Sequence, residues 1–211
     1  MSVQLKHVVE DLDVFFELSK LPQDPSMKIF VPQAYKNYEL PIKDIFEKEF
    51  LKSFNGLMIA GDDTAHTIFT SSFPHKEILE QFVHQAQKGD LLFVHHPIPL
   101  ECGDPKGSLG RGFIPLDPIL LKQIIDKKLS VYSCHAPLDY HTEVSTNRAI
   151  AKALSAKIES EFLPFGNGFA GLIVSVPEIS TDDLVKKLQT IFSIPYVDFA
   201  GQKVDRISKI G

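Results

Sequence analysis

Apolar residues follow two different spacings along this 211-residue chain. Near the start they recur at helical intervals, which predicts an amphipathic helix over residues 8–18 and a second one over residues 42–54. Residues 21–41 contain four prolines and little periodicity, so we expect an irregular stretch there. Together these segments predict that residues 1–50 form an N-terminal helical and irregular extension.

Beyond this extension, short apolar runs alternate with amphipathic stretches. The pattern predicts strands at 57–60, 67–70, 91–94 and 130–134, and helices at 74–88, 117–128 and 145–156. Residues 91–94 are all apolar, which is typical of a strand in a parallel sheet that is covered on both faces. We therefore expect residues 51–160 to form an α/β domain with a largely parallel sheet built from βαβ crossovers.

The last part of the chain has a looser pattern. Periodicity is weakest at 163–168, and the residues that follow predict a strand at 169–176, a helix at 181–192 and a final strand at 204–210. We expect residues 161–211 to form a second α/β lobe.

Charge and composition narrow the class of protein. A formal net charge of −5 and a pI near 5.9 give no electrostatic reason to expect a nucleic-acid partner. The two cysteines cannot form a disulfide framework, which favours a reducing compartment. The N-terminus lacks the apolar region of a signal peptide, and no apolar run approaches the ~20 residues that span a bilayer. We expect a cytoplasmic protein with no membrane association.

Polar side chains follow two of the predicted strands. His95 and His96 come directly after the strand at 91–94, and His135 and Asp139 follow the strand at 130–134. A proline lies soon after each histidine segment and ends regular sheet pairing there. Because ligands of parallel α/β sheets bind outside the carboxyl ends of the strands, we expect these side chains to converge on one crevice.

The adjacent histidines indicate a particular kind of metal site. Neighbouring side chains on an extended chain point to opposite faces, so His95 and His96 would each serve one of two ions, with Asp139 as a bridge. Two ions roughly 3.5–4 Å apart would stabilise a hydrolytic transition state. Imidazole and carboxylate ligands suit Zn, Fe, Mn or Co. The alternatives are ordinary hydrogen-bonded histidines, or a nucleophile formed by Cys134 with His135, which is disfavoured because adjacent strand residues point apart.

Four glycines lie between the two histidine segments and could suggest a phosphate-binding loop. The spacing of Gly103, Gly107, Gly110 and Gly112 fits neither a P-loop nor a dinucleotide fingerprint, and we expect a loop over the site instead.

The chain resembles the Nif-three-like dinuclear-metal proteins, which are also named homologues of the type-2 GTP cyclohydrolase I. The matching stretches are Asn55-Gly56-Leu57 with Gly61, residues 91–97 (LLFVHHP), residues 104–107 (DPKG), and residues 135–139 (HAPLD) followed by Asn147. The resemblance covers about residues 50–211, and the first 50 residues are longer than the family pattern.

The resemblance implies several properties of the site and the assembly. His95, His96 and Asp139 would be the metal ligands, with Asp139 the bridge, and His135 would act beside the metal as the catalytic residue that orients groups or transfers a proton. The implied fold has three layers, α/β/α, and the implied assembly is a ring-shaped homohexamer. The expected cofactors are divalent metal ions, and the expected substrate is a small molecule.

The chain departs from the family pattern at its end. Family members continue past the strand matching 204–210 with a glycine-rich turn and a late His followed four residues on by Glu, which complete a site with two ions per subunit. This chain stops at Gly211. We favour a truncated sequence over a single-metal site or a metal-free scaffold. The leading hypothesis is a metal-dependent hydrolase for a small phosphorylated or nucleotide-like molecule, and the rival is a non-catalytic assembly or regulatory protein.

Overall fold

The chain forms two compact units, Met1–Leu138 and Asp139–Gly211. The computed structural model describes residues 3–21, 23–38, 41–103 and 108–211. The elements run in the order β1 (Val3–Gln4), α1 (Leu5–Phe15), a 3-10 turn (Leu18–Lys20), α2 (Met27–Ala34), α3 (Ile42–Ile45), α4 (Lys48–Ser53), β2 (Gly56–Ile59), β3 (Thr64–Ala65), β4 (Ile68–Ser71), α5 (Lys76–Gln85), β5 (Leu91–Val94), β6 (Leu100–Gly103), β7 (Leu109–Phe113), α6 (Pro118–Asp126), β8 (Ser130–Ser133), α7 (Ala136–Tyr140), α8 (Thr146–Ala153), β9 (Lys157–Phe165), β10 (Gly168–Ile179), α9 (Thr181–Phe192) and β11 (Ile207–Ile210).

A four-stranded sheet in the order β2-β8-β5-β4 organises the first unit. β4 pairs with β5 and β5 pairs with β8 in parallel, whereas β2 joins the edge of β8 antiparallel. Helices α5 and α6 connect the parallel strands, as the alternating pattern predicted. The expected α/β fold with a largely parallel sheet is confirmed.

Both faces of this sheet are covered, because successive side chains of β5 and β8 point to opposite sides. Leu92, Val94 and Val131 pack into a core with α2, α4, α5 and α6, whereas Leu91 and Tyr132 pack into a second core with α1. The sheet therefore lies between two helical layers, which is the expected three-layer arrangement. Its central strands need no polar face, and this explains why residues 91–94 are all apolar.

The prediction of an irregular stretch at 21–41 is wrong, because α2 lies within it. Met27, Val31 and Tyr35 recur at four-residue intervals and are buried in the core of the first unit. This burial holds the helix despite Pro32, which lacks the N–H of a regular helical residue. Tertiary packing thus outweighs the local signal of the prolines.

The helix predicted over 42–54 consists of two shorter helices, α3 and α4. The chain is extended at Phe46, and the ring of Phe46 packs in the core against Tyr35 and Phe50.

Helix α6 begins at the residue that the sequence predicts. The Asp117 carboxylate accepts hydrogen bonds from the backbone N–H groups of Ile119 at 2.9 Å and Leu120 at 3.2 Å, and Pro118 is the first helical residue.

Gly61, one of the family-pattern residues, lies where the backbone leaves β2 beside the end of α6. A Cβ built on Gly61 would lie 2.4 Å from the carbonyl oxygen of Lys128, which is backbone and cannot move aside cheaply. The N–H of Gly61 donates to the Ser130 hydroxyl at 3.1 Å. Close approach of two backbone segments therefore requires glycine here.

We expected an irregular glycine-rich loop over the site, and this expectation is wrong for the described part of the segment. β6 and β7 form an antiparallel hairpin that contains Gly103, Gly110 and Gly112. Gly107 and the rest of the DPKG stretch, residues 104–107, lie outside the described residues.

The second unit contains a three-stranded antiparallel sheet in the order β11-β10-β9, with α8 packed on β9 and β10. The loosely patterned residues 163–168 form a tight hairpin, in which β9 extends to Phe165 and β10 begins at Gly168. The helix predicted at 181–192 is confirmed as α9, and its cap is the Ser180 hydroxyl, which accepts from the N–H of Asp183. The final strand begins at Ile207 rather than at residue 204.

The domain boundaries predicted at residues 50 and 160 stay predictions.

Within the described part of the chain, none of the helices is long and apolar enough to cross a lipid bilayer.

Candidate metal centre

The two histidine segments lie at the same edge of the sheet, because β5 and β8 are parallel neighbours with Val94 opposite Ser133. Their backbones are fixed by further hydrogen bonds. The N–H of His95 donates to the carbonyl of Ser71 at 3.1 Å, and the N–H of His96 donates to that of Ser72 at 2.9 Å. The strand exits are thus rigid supports for the side chains that follow.

Three imidazoles converge at this edge. His95, His96 and His135 each offer one ring nitrogen such that the three nitrogens lie within 4.8 Å of one another. The ring centroids are 4.4 Å apart for His95 and His96, 5.0 Å for His95 and His135, and 4.7 Å for His96 and His135. A single divalent ion can accept nitrogen ligands from such a group. The convergence that the sequence led us to expect is found for these three histidines.

The tautomer of His95 follows from its contact with the main chain. Its Nδ1 lies 3.0 Å from the carbonyl oxygen of Cys134, which can only accept, so Nδ1 carries the proton. The lone pair of the neutral ring is then on Nε2. A backbone carbonyl on the far nitrogen is the usual way in which a metal-binding histidine is oriented.

His96 is held in a neutral form between aromatic rings. Its imidazole stacks on Phe73, and Phe113 lies near the ring at a centroid distance of 5.9 Å. Burial, and to a smaller extent the neighbouring His95 and His135, lower the pKa of His96 to about 3. Its Nδ1 is buried and has no hydrogen-bond partner among the described residues.

His135 is held by two side chains from elsewhere in the chain. Its Nδ1 lies 2.9 Å from Oδ2 of Asp24, and its backbone N–H donates to Oδ1 of Asn55 at 2.6 Å. Burial acts to raise the pKa of Asp24, but the hydrogen bond and charge of His135, with the N–H groups of Met27 and Ala136, outweigh it and lower the pKa to about 2.

Asp139, the predicted bridging ligand, lies on α7 four residues after His135 and is the first residue of the second unit. Its role as a ligand stays a prediction.

Cys134 is buried with Leu91 and Tyr132 in the second core, which packs against α1. This is the environment of a structural cysteine rather than of a nucleophile.

Two residues of this site had no predicted role. Asn55 was part of a motif, but nothing in its spacing showed that it would hold His135. Asp24 lay in the stretch predicted to be irregular. A signal did exist, because Asp followed by Pro is a common start of a helix, and Asp24 does accept from the N–H groups of Ser26 and Met27 before α2.

The donor set fits a divalent metal ion. His96 is a neutral imidazole, and its buried nitrogen has a desolvation cost that a bound cation would offset. Imidazole nitrogens together with a carboxylate suit zinc, iron, manganese or cobalt.

The described residues define an α/β protein with a histidine cluster at the carboxyl edge of a largely parallel sheet. The chain belongs to the Duf34/NIF3 (NGG1p interacting factor 3) family, whose model matches residues 42–211. This confirms the family that the sequence motifs indicate.

Two relatives carry the name GTP cyclohydrolase 1 type 2 homolog. The protein from Deinococcus radiodurans is 32% identical over 146 residues, which are 66% of this chain and 50% of the relative. The protein from Pyrococcus horikoshii is 30% identical over 165 residues, which are 75% of this chain and 62% of the relative. The chain therefore spans about half to three fifths of the length of these relatives.

Solved structures share the fold. TTHA1606 from Thermus thermophilus has a TM-score of 0.65 at 19% identity, with 98% of this chain and 68% of that chain covered. Staphylococcus aureus hypothetical protein SA1388 has a TM-score of 0.60 at 13% identity, with 98% and 70% covered.

Proposed function

We propose that this protein is a metal-dependent, hydrolase-like protein that acts on a small phosphorylated or nucleotide-like molecule. The observation that carries the proposal is the convergence of His95, His96 and His135 at the carboxyl edge of the sheet. Ligand sites of parallel α/β sheets lie at this edge. The names of the relatives agree with a hydrolase-like role, and GTP is therefore one of the molecules to test.

In this proposal, His95, His96 and Asp139 hold the metal. The low pKa of His96 means that its ring can bind a cation without loss of a proton, and the Nδ1 contact of His95 with a backbone carbonyl orients that ring. Asp139 supplies a carboxylate, which lowers the net charge of the bound site. The chemistry that a divalent ion supplies at such a site is Lewis-acid polarisation of a substrate oxygen. Two ions per subunit would need more ligands than these three, as the family pattern implies.

His135 is the proposed catalytic residue. Asp24 fixes one nitrogen of its ring, and in this proposal the other nitrogen accepts or returns a proton near the reacting group. The ring stands 5.0 Å from that of His95, so it lies beside the proposed ligands.

Metal content tests the assignment directly. Purified protein is loaded with zinc, manganese or cobalt and dialysed, and the metal is then measured by mass spectrometry for the unaltered chain, His95→Ala and Asp139→Ala. We expect bound metal in the first and a large loss in both variants. His84→Ala, an exposed histidine on α5, is the control and should retain the metal. Undiminished metal in both site variants would overturn the proposal.

The second candidate function is a non-catalytic assembly or regulatory protein. It is favoured by the number of large apolar side chains that the second unit exposes, among them Phe162, Phe169, Phe192, Tyr196 and Phe199. This candidate predicts a defined oligomer, with a homohexamer expected from the family pattern, and no metal-dependent hydrolysis of phosphoesters or GTP. A hydrolysis panel on metal-loaded protein distinguishes the two candidates, whereas a defined oligomer in light scattering is expected of both.

A further inference from the structure

Asp24 is a completely buried carboxylate that joins two distant parts of the first unit. Its Oδ1 accepts from the N–H groups of Ser26 at 2.9 Å and Met27 at 2.7 Å, at the start of α2. Its Oδ2 accepts from the N–H of Ala136 at 3.1 Å and lies 2.9 Å from Nδ1 of His135. One oxygen therefore accepts hydrogen bonds within the N-terminal segment (residues 1–50), and the other contacts the histidine cluster (His95, His96 and His135).

The carboxylate determines which ring nitrogen of His135 carries a proton. Both oxygens of Asp24 already accept backbone N–H groups, from Ser26 and Met27 on one side and from Ala136 on the other, so the carboxylate is surrounded by donors and acts as an acceptor. The hydrogen between the two groups must then belong to Nδ1 of His135. The lone pair of the neutral ring is consequently on Nε2.

Asn55 completes the support of His135. Its Oδ1 accepts from the backbone N–H of His135, and its Nδ2 lies 3.3 Å from Oδ2 of Asp24. His135 is thus held both at its main chain and at its ring, and this leaves the imidazole little freedom to rotate.

We propose that Asp24 is a positioning residue of the metal centre, which fixes His135 as the Nδ1–H tautomer so that Nε2 is directed to the histidine cluster. Asp24 lies before residues 42–211, the part that matches the family model, so the N-terminal segment of this chain contributes to the site. The effect on metal binding rests on the proposed function, whereas the tautomer of His135 does not.

The competing explanation is that Asp24 only caps α2. Asp24→Asn separates the two roles. The backbone N–H groups of Ser26 and Met27 require an acceptor, so the amide oxygen of the variant takes the place of Oδ1. Its NH2 group then faces Nδ1 of His135, which must accept instead of donate, and the backbone N–H of Ala136 loses its acceptor. The cap is retained, and the tautomer of His135 is reversed.

The tautomer is measured by long-range 15N–1H NMR on metal-free protein labelled at histidine, with the His135 signals assigned from their loss in His135→Gln. We expect a protonated Nδ1 in the unaltered chain and a protonated Nε2 in Asp24→Asn. Zinc titration of the same proteins should show binding weakened about 10- to 100-fold in the variant, because the reversed tautomer of His135 directs an N–H at the proposed cation site, and loss of a hydrogen-bond partner around a metal site usually has an effect of this size.

Asp90→Asn is the matched control. Asp90 is also buried and accepts from the N–H groups of Thr67 and Gln87, but it does not contact the histidine cluster. This variant should leave the tautomer of His135 and the zinc affinity unchanged, even if it lowers the thermal stability.

Each outcome has a defined meaning. A protonated Nε2 in the unaltered chain would overturn the proposal, and this measurement does not need the variant to fold. An unchanged tautomer in folded Asp24→Asn would also overturn it. Weak zinc binding by the unaltered chain together with the expected tautomers would contradict the proposed metal function and leave the assignment of Asp24 standing.

Discussion

The imidazole of His96 lies flat against the phenyl ring of Phe73, with ring centroids 4.0 Å apart and planes inclined by only 6°. Phe73 follows β4, whereas His96 follows β5, so the stack depends on the parallel pairing of these two strands. It restricts rotation of His96 and shields one face of the ring from water.

Replacing Phe73 by Leu should weaken metal binding without unfolding the protein. Ring stacking contributes about 0.5–1.5 kcal/mol beyond area burial, so we expect affinity for zinc to fall about two- to tenfold. Isothermal titration calorimetry measures this directly. Phe69→Leu is the control, because Phe69 is also partly buried and pairs with Phe82 away from the cluster. Equal affinity in the two variants would contradict the prediction.

The buried carboxylate of Asp24 should make stability depend on pH. Its pKa is lowered from 3.8 to about 2 in the folded chain, so its contribution is fully present above pH 3.8 and is lost as the pH falls towards 2. The shift corresponds to on the order of 2 kcal/mol. Urea unfolding of metal-free protein should show that the stability advantage over Asp24→Asn narrows from pH 5 to pH 2. An advantage that stays constant over this range would show that the prediction is wrong.

Two tyrosines of the N-terminal segment bind the backbone of Leu116 before α6. The N–H of Leu116 donates to the Tyr35 hydroxyl at 3.1 Å, and the Tyr38 hydroxyl donates to the Leu116 carbonyl at 3.2 Å. Tyr35→Phe leaves a buried N–H without an acceptor, which costs about 1–3 kcal/mol. Tyr38 is partly exposed, so Tyr38→Phe should cost less, because water can replace its hydroxyl. Urea unfolding compares the two variants, and the reverse order would contradict this account.

The N-cap of α6 should be measurable as a local contribution to stability. Asp117→Ala removes the acceptor for Ile119 and Leu120, and we expect a loss of about 1 kcal/mol. Asp117→Ser retains a capping oxygen and should recover most of it. Both variants lose the 3.9 Å ion pair with Lys76, so the difference between their free energies of unfolding measures the contribution of the cap alone. Similar thermal unfolding curves for the two variants would show that loss of the cap does not cause the loss of stability in Asp117→Ala.

Much of the first unit was predictable because its signals are local. The apolar run Leu91–Val94 indicates a buried strand, and His95 and His96 follow it directly, so the strand and its polar exit are visible in neighbouring residues. Asp117 and Pro118 similarly mark the start of α6. The helix α2 was missed because its prolines suggest a break, and only packing of Met27 and Val31 against the sheet shows why a helix forms.

The sequence by itself determined the family, the alternation of strands and helices, and the two strand exits that carry His95, His96 and His135. These depend on residues that are neighbours along the chain. The tertiary structure alone decided that Asp24 supports His135 across 111 residues and that Phe73 stacks on His96. A hydrogen bond or ring contact between separate segments has no spacing in the sequence, because it is created only when the sheet and its covering helices assemble.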